Sequence, residues 1–213
     1  ILKLIFSLMD RVNIFTSKKI FFDSNAQIDF FKKYGIKSNK FKLIANGSIK
    51  GVNTNLFKPN NSLKNEFKNI NKLDKESVNI LYLGRINTDK GIIELINVFK
   101  RLKKNNKNIN LFIYGHDEIN IKNLISNIYP DNHCIFINNY TNQPHYILPC
   151  FDIFVLPSKR EGFGNSVIEA SSCEVPSLTS DIYGLEDSSL DGINSIKYSL
   201  DNMQDFEIKF QNL

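Results

Sequence analysis

The sequence predicts an α/β fold organised on a parallel, Rossmann-like sheet. Mainly apolar runs of strand length, such as Val78 to Leu83 and Ile109 to Tyr114, alternate with stretches of helical period along most of the chain. Turn residues follow these runs directly, Gly84 after the first and Pro157-Ser158 after Asp152 to Leu156. With 42% apolar residues in 213 the chain can bury a real core, and such alternation argues for strands crossed by helices.

In chain order, Ile1 to Met9 is apolar but too short for a membrane span or a full signal peptide. The chain opens on Ile, which is read as an internal position of a longer protein or of a truncated gene. Asp10 to Ser17 is expected to be a short strand after the remnant of a helix. Asp23 to Tyr34 has helical spacing with Gly35 as its stop, and Phe41 to Ala45 reads as another strand. Residues 46–61, rich in Gly, Asn, Thr and Pro, are assigned as a linker between a domain fragment, 1–45, and a second domain, 62–213. Beyond it the expected order is strand Val78 to Leu83, helix Gly91 to Lys104, strand Ile109 to Tyr114, helix Ile119 to Ile128 and strand Cys134 to Ile137. A short helix near Pro144 to Leu148, the strand Asp152 to Leu156, the helix Ser166 to Cys173 and the strand Val175 to Thr179 follow.

The formal net charge of +5 comes from lysine, with 23 Lys against 4 Arg. These lysines are spread among 29 asparagines and form no focused patch, so nucleic-acid binding is not expected. Cys134, Cys150 and Cys173 form no CxxC pair, and His116, His133 and His145 show no metal-ligand spacing. Reduced, structural thiols and no metal site are the expectation.

The densest chemistry lies in Arg160 to Ala170, REGFGNSVIEA. Glu161 and Glu169 stand eight positions apart around a turn bracketed by Gly162 and Gly164, which let the backbone approach a ligand closely. Asn165 is read as the N-cap of the helix carrying Val167, Ile168 and Ala170, and free amides around Phe163 to Ser166 suit an anion. The segment follows a strand, and ligands of open α/β sheets bind at the carboxyl ends of strands. Upstream, Gly84 ends a strand, and Arg85 and Lys90 flank a loop before the helix that starts near Gly91. Two cations there are available to a diphosphate, Arg as a fork and Lys as a point charge. A glycosidase pair would need its carboxyls roughly 5 to 9.5 Å apart. Eight residues of continuous helix rise about 12 Å, and the Gly-Phe-Gly turn leaves the separation open.

These motifs together resemble the donor site of retaining glycosyltransferases of family 4, which have the GT-B fold. The likeness rests on Glu-x7-Glu after a strand ending in Pro-Ser and on LYLGRINTDKGIIELINVF (Leu81 to Phe99), which is similar to that family's Gly-Arg-x4-Lys-Gly element. It rests also on ANGSIKGVNTNLFKP (Ala45 to Pro59), which is similar to the interdomain hinge. The resemblance implies the edge of an N-terminal, acceptor-side domain in 1–45, a hinge in 46–61 and a nucleotide-sugar-binding domain in 62–213. It implies that Glu169 holds the ribose hydroxyls and Glu161 contacts the donor sugar. Gly84, Arg85, Lys90, Gly162, Phe163, Gly164, Asn165 and Ser166 would cradle the nucleotide, with Glu161, Arg85 and Lys90 as the catalytic set.

The implied activity is transfer, with retention, from a nucleotide-diphosphate sugar, expected to be UDP-linked, to a glycan or lipid-linked acceptor in bacterial surface polysaccharide synthesis. No metal or other cofactor is expected, and no Asp-x-Asp motif accompanies the cations. A cytoplasmic protein at the inner face of the membrane is implied, with peripheral association through the largely missing N-terminal domain. Two other readings stand beside this one: a GT-B nucleotide-sugar epimerase, and a truncated, non-catalytic nucleotide-binding module. The chain departs from the pattern at Glu174-Val175-Pro176, where relatives commonly have Gly-Val-Pro, which is expected to alter a turn. It also lacks a glycine near Asn139, which bears on base recognition. As half a cleft, it is expected to bind nucleotide, transfer no sugar and expose Phe6, Phe15, Phe21, Phe22, Phe30 and Phe31.

Overall fold

The structure, a computed structural model, describes residues 2–105, 108–130 and 133–211, with side chains from residue 8 onward. It opens with helix α1 (Leu2–Thr16), strand β1 (Ile20–Phe22), helix α2 (Asn25–Lys33) and strand β2 (Phe41–Leu43). β1 and β2 pair in parallel, Ile20 opposite Phe41. The strand expected over Asp10 to Ser17 is instead the end of α1: Leu8, Val12 and Phe15 recur at helical spacing, and that period outweighs the β-propensity of a few branched residues. The Ser24 hydroxyl caps α2 by accepting from the Gln27 amide at 3.2 Å. Phe22 is buried against the ring edges of Phe31 and Phe41, contrary to its expected exposure. Phe15, Phe21 and Phe30 are exposed, and the side chain of Phe6 lies outside the described residues.

Helix α3 (Asn61–Ile70) begins on the last residue of the segment expected to be a linker. Its start is set by the Asn60 side chain, which accepts from the Leu63 amide at 2.9 Å. The main unit then runs through β3 (Val78–Leu83), α4 (Ile92–Asn105), β4 (Ile109–Tyr114), α5 (Ile121–Ile128), β5 (Ile135–Asn138) and β6 (Ile153–Leu156). After it come α6 (Asn165–Ser172), β7 (Ser177–Ser180), β8 (Ser195–Tyr198) and α7 (Met203–Gln211). From Val78 to Thr179 the expected strands and longer helices agree to within a residue or two of their ends, the usual uncertainty of boundaries. The short helix expected near Pro144 to Leu148 is instead two 3-10 turns, Pro144–Tyr146 and Leu148–Cys150.

All pairs in the six-stranded sheet are parallel, in the order β5-β4-β3-β6-β7-β8. The chain lays β3, β4 and β5 outward in one direction, then returns to lay β6, β7 and β8 in the other. The direction therefore reverses between β3 and β6, and a crevice opens at their carboxyl ends. Successive residues of β3 feed opposite layers, as strand geometry requires. Ile80 and Tyr82 pack with Leu95 and Phe99 of α4 and Phe206 of α7, whereas Leu81 packs with Phe154 and with Val167 and Ala170 of α6. Burial on both faces explains why ILYL, Ile80 to Leu83, reads as a continuous apolar run without alternation.

Helix α6 ends with the Val175 amide donating to the Ala170 carbonyl and the Glu174 amide to Ser171, both at 3.0 Å. This is the Schellman arrangement, and Glu174 takes its left-handed position at φ +58°. The turn thus keeps its form without the glycine that the resemblance implies there; the side chain is the misfit. Exchanging the exposed Glu174 for glycine relieves a left-handed strain of about 1–2 kcal/mol and returns part of it as unfolded-state entropy. Glu174→Gly is expected to stabilise the fold by about 0.5 to 1 kcal/mol, read from the midpoint of urea unfolding. All three cysteines are free and buried, and burial, with the Glu169 charge adding, pushes the Cys173 thiol up to about 11. Among the described residues no helix is long and apolar enough to cross a membrane.

Candidate functional site

Two loops meet over the crevice. The first leaves β3 at Gly84, whose amide continues the ladder to the Tyr114 carbonyl at 3.0 Å. Tyr82, buried beneath, donates its hydroxyl to the Arg85 carbonyl at 2.5 Å. Burial, with the Glu161 charge nearby, pushes this phenol well above its ordinary range, so the donor is retained. Arg85 turns outward, 62% exposed, and its guanidinium meets the Glu118 carboxylate at 3.2 Å. The Asn87 amide donates to the other Glu118 oxygen at 3.0 Å. That hydrogen bond first, and Arg85 with it, holds the Glu118 carboxyl below its ordinary range.

The second loop leaves β6 at Pro157. Glu161 accepts from Lys90 Nζ at 2.6 Å and from the Ser158 hydroxyl at 2.7 Å. Both side chains of the Lys90–Glu161 pair are only 16% exposed. The Lys159 amide donates to the Asp89 carbonyl at 2.8 Å, and Arg160 pairs with the Asp89 carboxylate at 2.6 Å. Gly91, at φ +66°, ends the turn carrying Lys90; a Cβ there would lie 2.0 Å from the Pro157 carbonyl oxygen. The glycine therefore sets the separation of the two loops.

Glu169 faces inward from α6, with its residue 5% exposed, and its carboxylate meets Lys50 Nζ at 3.2 Å. Gly164, at φ +81°, occupies the N-cap of α6, so Asn165 is not the cap expected from the sequence. Asn165 is instead the first helical residue, and its side-chain oxygen accepts from the Ser48 hydroxyl at 2.6 Å. The αL turn at Gly164 sets the helix start, and a side-chain cap is not used. Phe163 is buried, Ser166 lies half-buried in the first turn, and the Gly162 carbonyl accepts from Gln27 Nε2 at 2.9 Å.

The structure thus gathers Lys90, Glu161 and the Gly162 to Ser166 turn around one side of the crevice. Arg85 stands apart from Lys90 in its pairing, each cation held by its own carboxylate. Arg85 and Gly84 line a cavity of about 340 Å³ together with Lys50, Tyr114, His116 and Tyr140. Lys50, Ser48 and Glu118 were not singled out by the sequence. Lys50 and Ser48 fall in the stretch assigned as linker, and Glu118 lies in no motif.

Residues 64–210 match the model of the family described as Glycosyl transferases group 1. The chain belongs to that family. Over 161 residues this group 1 chain is 32% identical to the capsular polysaccharide biosynthesis glycosyltransferase CapM of Staphylococcus aureus, covering 73% of the chain and 41% of CapM. Its fold is that of the GT-B enzymes. It superposes on sucrose-phosphate synthase of Thermosynechococcus elongatus with a TM-score of 0.82 at 18% identity, covering 96% of this chain and 51% of that one. It superposes on HepE of Anabaena, solved in complex with UDP-glucose, with a TM-score of 0.77 at 16% identity, covering 92% and 54%. The chain spans about two fifths of the length of CapM.

Proposed function

We propose that this chain carries the donor-binding part of a retaining glycosyltransferase that moves a sugar from a UDP-linked donor to a glycan or lipid-linked acceptor in bacterial surface polysaccharide assembly. The observation that carries the proposal is the Lys90–Glu161 pair at 2.6 Å. It joins Gly-Arg-x4-Lys-Gly to Glu-x7-Glu at the point of the sheet where nucleotide ligands of such folds bind. The likenesses to CapM and to HepE in complex with UDP-glucose support the substrate class. In this reading residues 62–213 bind the donor, 46–61 form the hinge, and 1–45 are the edge of the acceptor-side domain at the cytoplasmic face of the membrane.

Arg85 can change partners, because Glu118 is solvent-facing and water can solvate its charge once the guanidinium leaves. As the glycosidic bond breaks, negative charge grows on the departing diphosphate, and a guanidinium already in place stabilises that state more than the ground state. In this reading the side chains supply the positive charge, and no metal or other cofactor is assigned. Lys90 holds Glu161 in one orientation toward the sugar hydroxyls, which a carboxylate accepts well. Glu169 does the same for the ribose.

Arg85→Ala removes charge-assisted bonds of about 1.5 to 3 kcal/mol each, so UDP affinity is expected to fall roughly ten- to a hundredfold in calorimetric titration. Glu161→Gln is expected to weaken the UDP-sugar more than UDP, and Glu169→Gln to weaken both. Equal losses for both ligands in the Glu161 variant would reverse the assignment. With the full-length protein, the anomeric configuration of the product by NMR tests retention. Isomerised free donor in place of a transfer product would instead identify an epimerase.

A further inference from the structure

The segment between β2 and α3 reaches the site through a single turn. The Ser48 amide donates to the Asp23 carbonyl at 2.7 Å, and its buried hydroxyl both donates to Asn165 and accepts from the Gly51 amide at 2.9 Å. Ser48 itself is held at φ +61°. These bonds fix the backbone on either side of Lys50 while leaving its side chain 68% exposed. Its ammonium rests on Glu169, whose side chain is 7% exposed. A carboxylate so deep needs a compensating charge or donor hydroxyls, and the ammonium supplies it. The same lysine lines the cavity that Arg85 and Gly84 form on the other side.

We propose that Lys50 is an exchangeable counter-charge of the donor site: it neutralises Glu169 before nucleotide binds and turns to the diphosphate once ribose hydroxyls take that carboxylate. The inference rests on the donor-site reading above. Its chemistry follows from the two partners. A ribose diol offers neutral donors that can replace the ammonium on Glu169, and the diphosphate brings a larger negative charge to a cavity the lysine already borders. A flexible four-carbon stem allows the move without a change of backbone. The lysine thereby brings the segment joining the two sheets into contact with the ligand, so this segment responds to whether a diphosphate is bound.

The test is titration of UDP and of uridine into the protein and its Lys50→Gln and Lys50→Arg variants. Lys50→Gln is expected to weaken UDP roughly tenfold while uridine binds as well as before or better, because its competitor for Glu169 is gone. Lys50→Arg is expected to restore most of the UDP affinity, and the Gln deficit should shrink as salt is raised, since the lysine is exposed. Equal losses for UDP and uridine would make Lys50 a mere support of Glu169 and overturn the proposal, as would an unchanged UDP affinity. A parent protein that binds no UDP would remove the donor reading itself. That outcome is separate from a binding parent with an indifferent Lys50→Gln variant.

Discussion

Replacing Gly91 by alanine is expected to be strongly damaging, because it combines a left-handed backbone with a clash against a neighbouring loop. The added carbon would lie 2.0 Å from the Pro157 carbonyl oxygen and 2.8 Å from its carbon, backbone atoms that cannot swing aside. A left-handed alanine costs about 1–2 kcal/mol, and forcing the loops apart adds roughly 1–3 kcal/mol. A loss of about 2 to 5 kcal/mol in urea unfolding should accompany at least a tenfold weaker affinity for the UDP-sugar, because Lys90, proposed to orient Glu161, is the residue next to the displaced one. Gly192→Ala is the control. Gly192 is also left-handed, at φ +71°, but a Cβ there meets nothing within 4 Å. Only the conformational cost should appear, with binding of the UDP-sugar intact. Equal effects from the two substitutions would show that crowding against Pro157 is not what matters at Gly91.

Lys90→Met is expected to have the second-largest effect, and on two quantities at once. It leaves the Glu161 carboxylate, whose side chain is 16% exposed, with the Ser158 hydroxyl and without its cation. Breaking a largely buried pair from one side costs about 3 kcal/mol. Adding Glu161→Gln removes the stranded charge, so the double variant should recover most of the stability, a non-additivity expected of residues in contact. Affinity for the UDP-sugar should not recover, since the carboxylate proposed to accept from the sugar is then gone. If the double variant is no more stable than Lys90→Met alone, the pair is not the coupling we describe.

The sheet was legible because burial on both faces leaves a dense apolar signature in β3, β4 and β6, interrupted only by Asn79 and Asn110 near the starts of the first two. Gly84, Gly91 and Pro157 mark the ends of such runs in the sequence itself. β7 was found through Val175 to Thr179, but β8 and α7 were not, since the stretch after Ser180 carries no clear period and its strand Ser195–Tyr198 pairs only with a strand made largely of serine and threonine. Helix α3 escaped because it starts at the end of the stretch assigned as linker and its asparagines, Asn61, Asn65 and Asn69, are weak helix formers, although Asn60 is a working cap. At the site, Lys90 and Glu161 were readable as motif positions. Lys50 was not, because nothing local tells a lysine in a turn that a carboxylate from residue 169 will fold beneath it.

Three helices finish alike. At the end of α2 the Ile36 amide reaches the Phe31 carbonyl and the Gly35 amide that of Lys32; at the end of α3 Leu73 reaches Lys68 and Lys72 reaches Asn69. The residue in the left-handed place is Gly35 in α2, Lys72 in α3 and Glu174 in α6. One geometry is therefore written with three different residues, and two of them are charged and exposed. The protein's tolerance to heat can consequently be adjusted from its outer skin, at Lys72 and Glu174 together, without altering a residue of the crevice. Such a hardened scaffold would carry a redesigned crevice through substitutions that the natural chain could not survive.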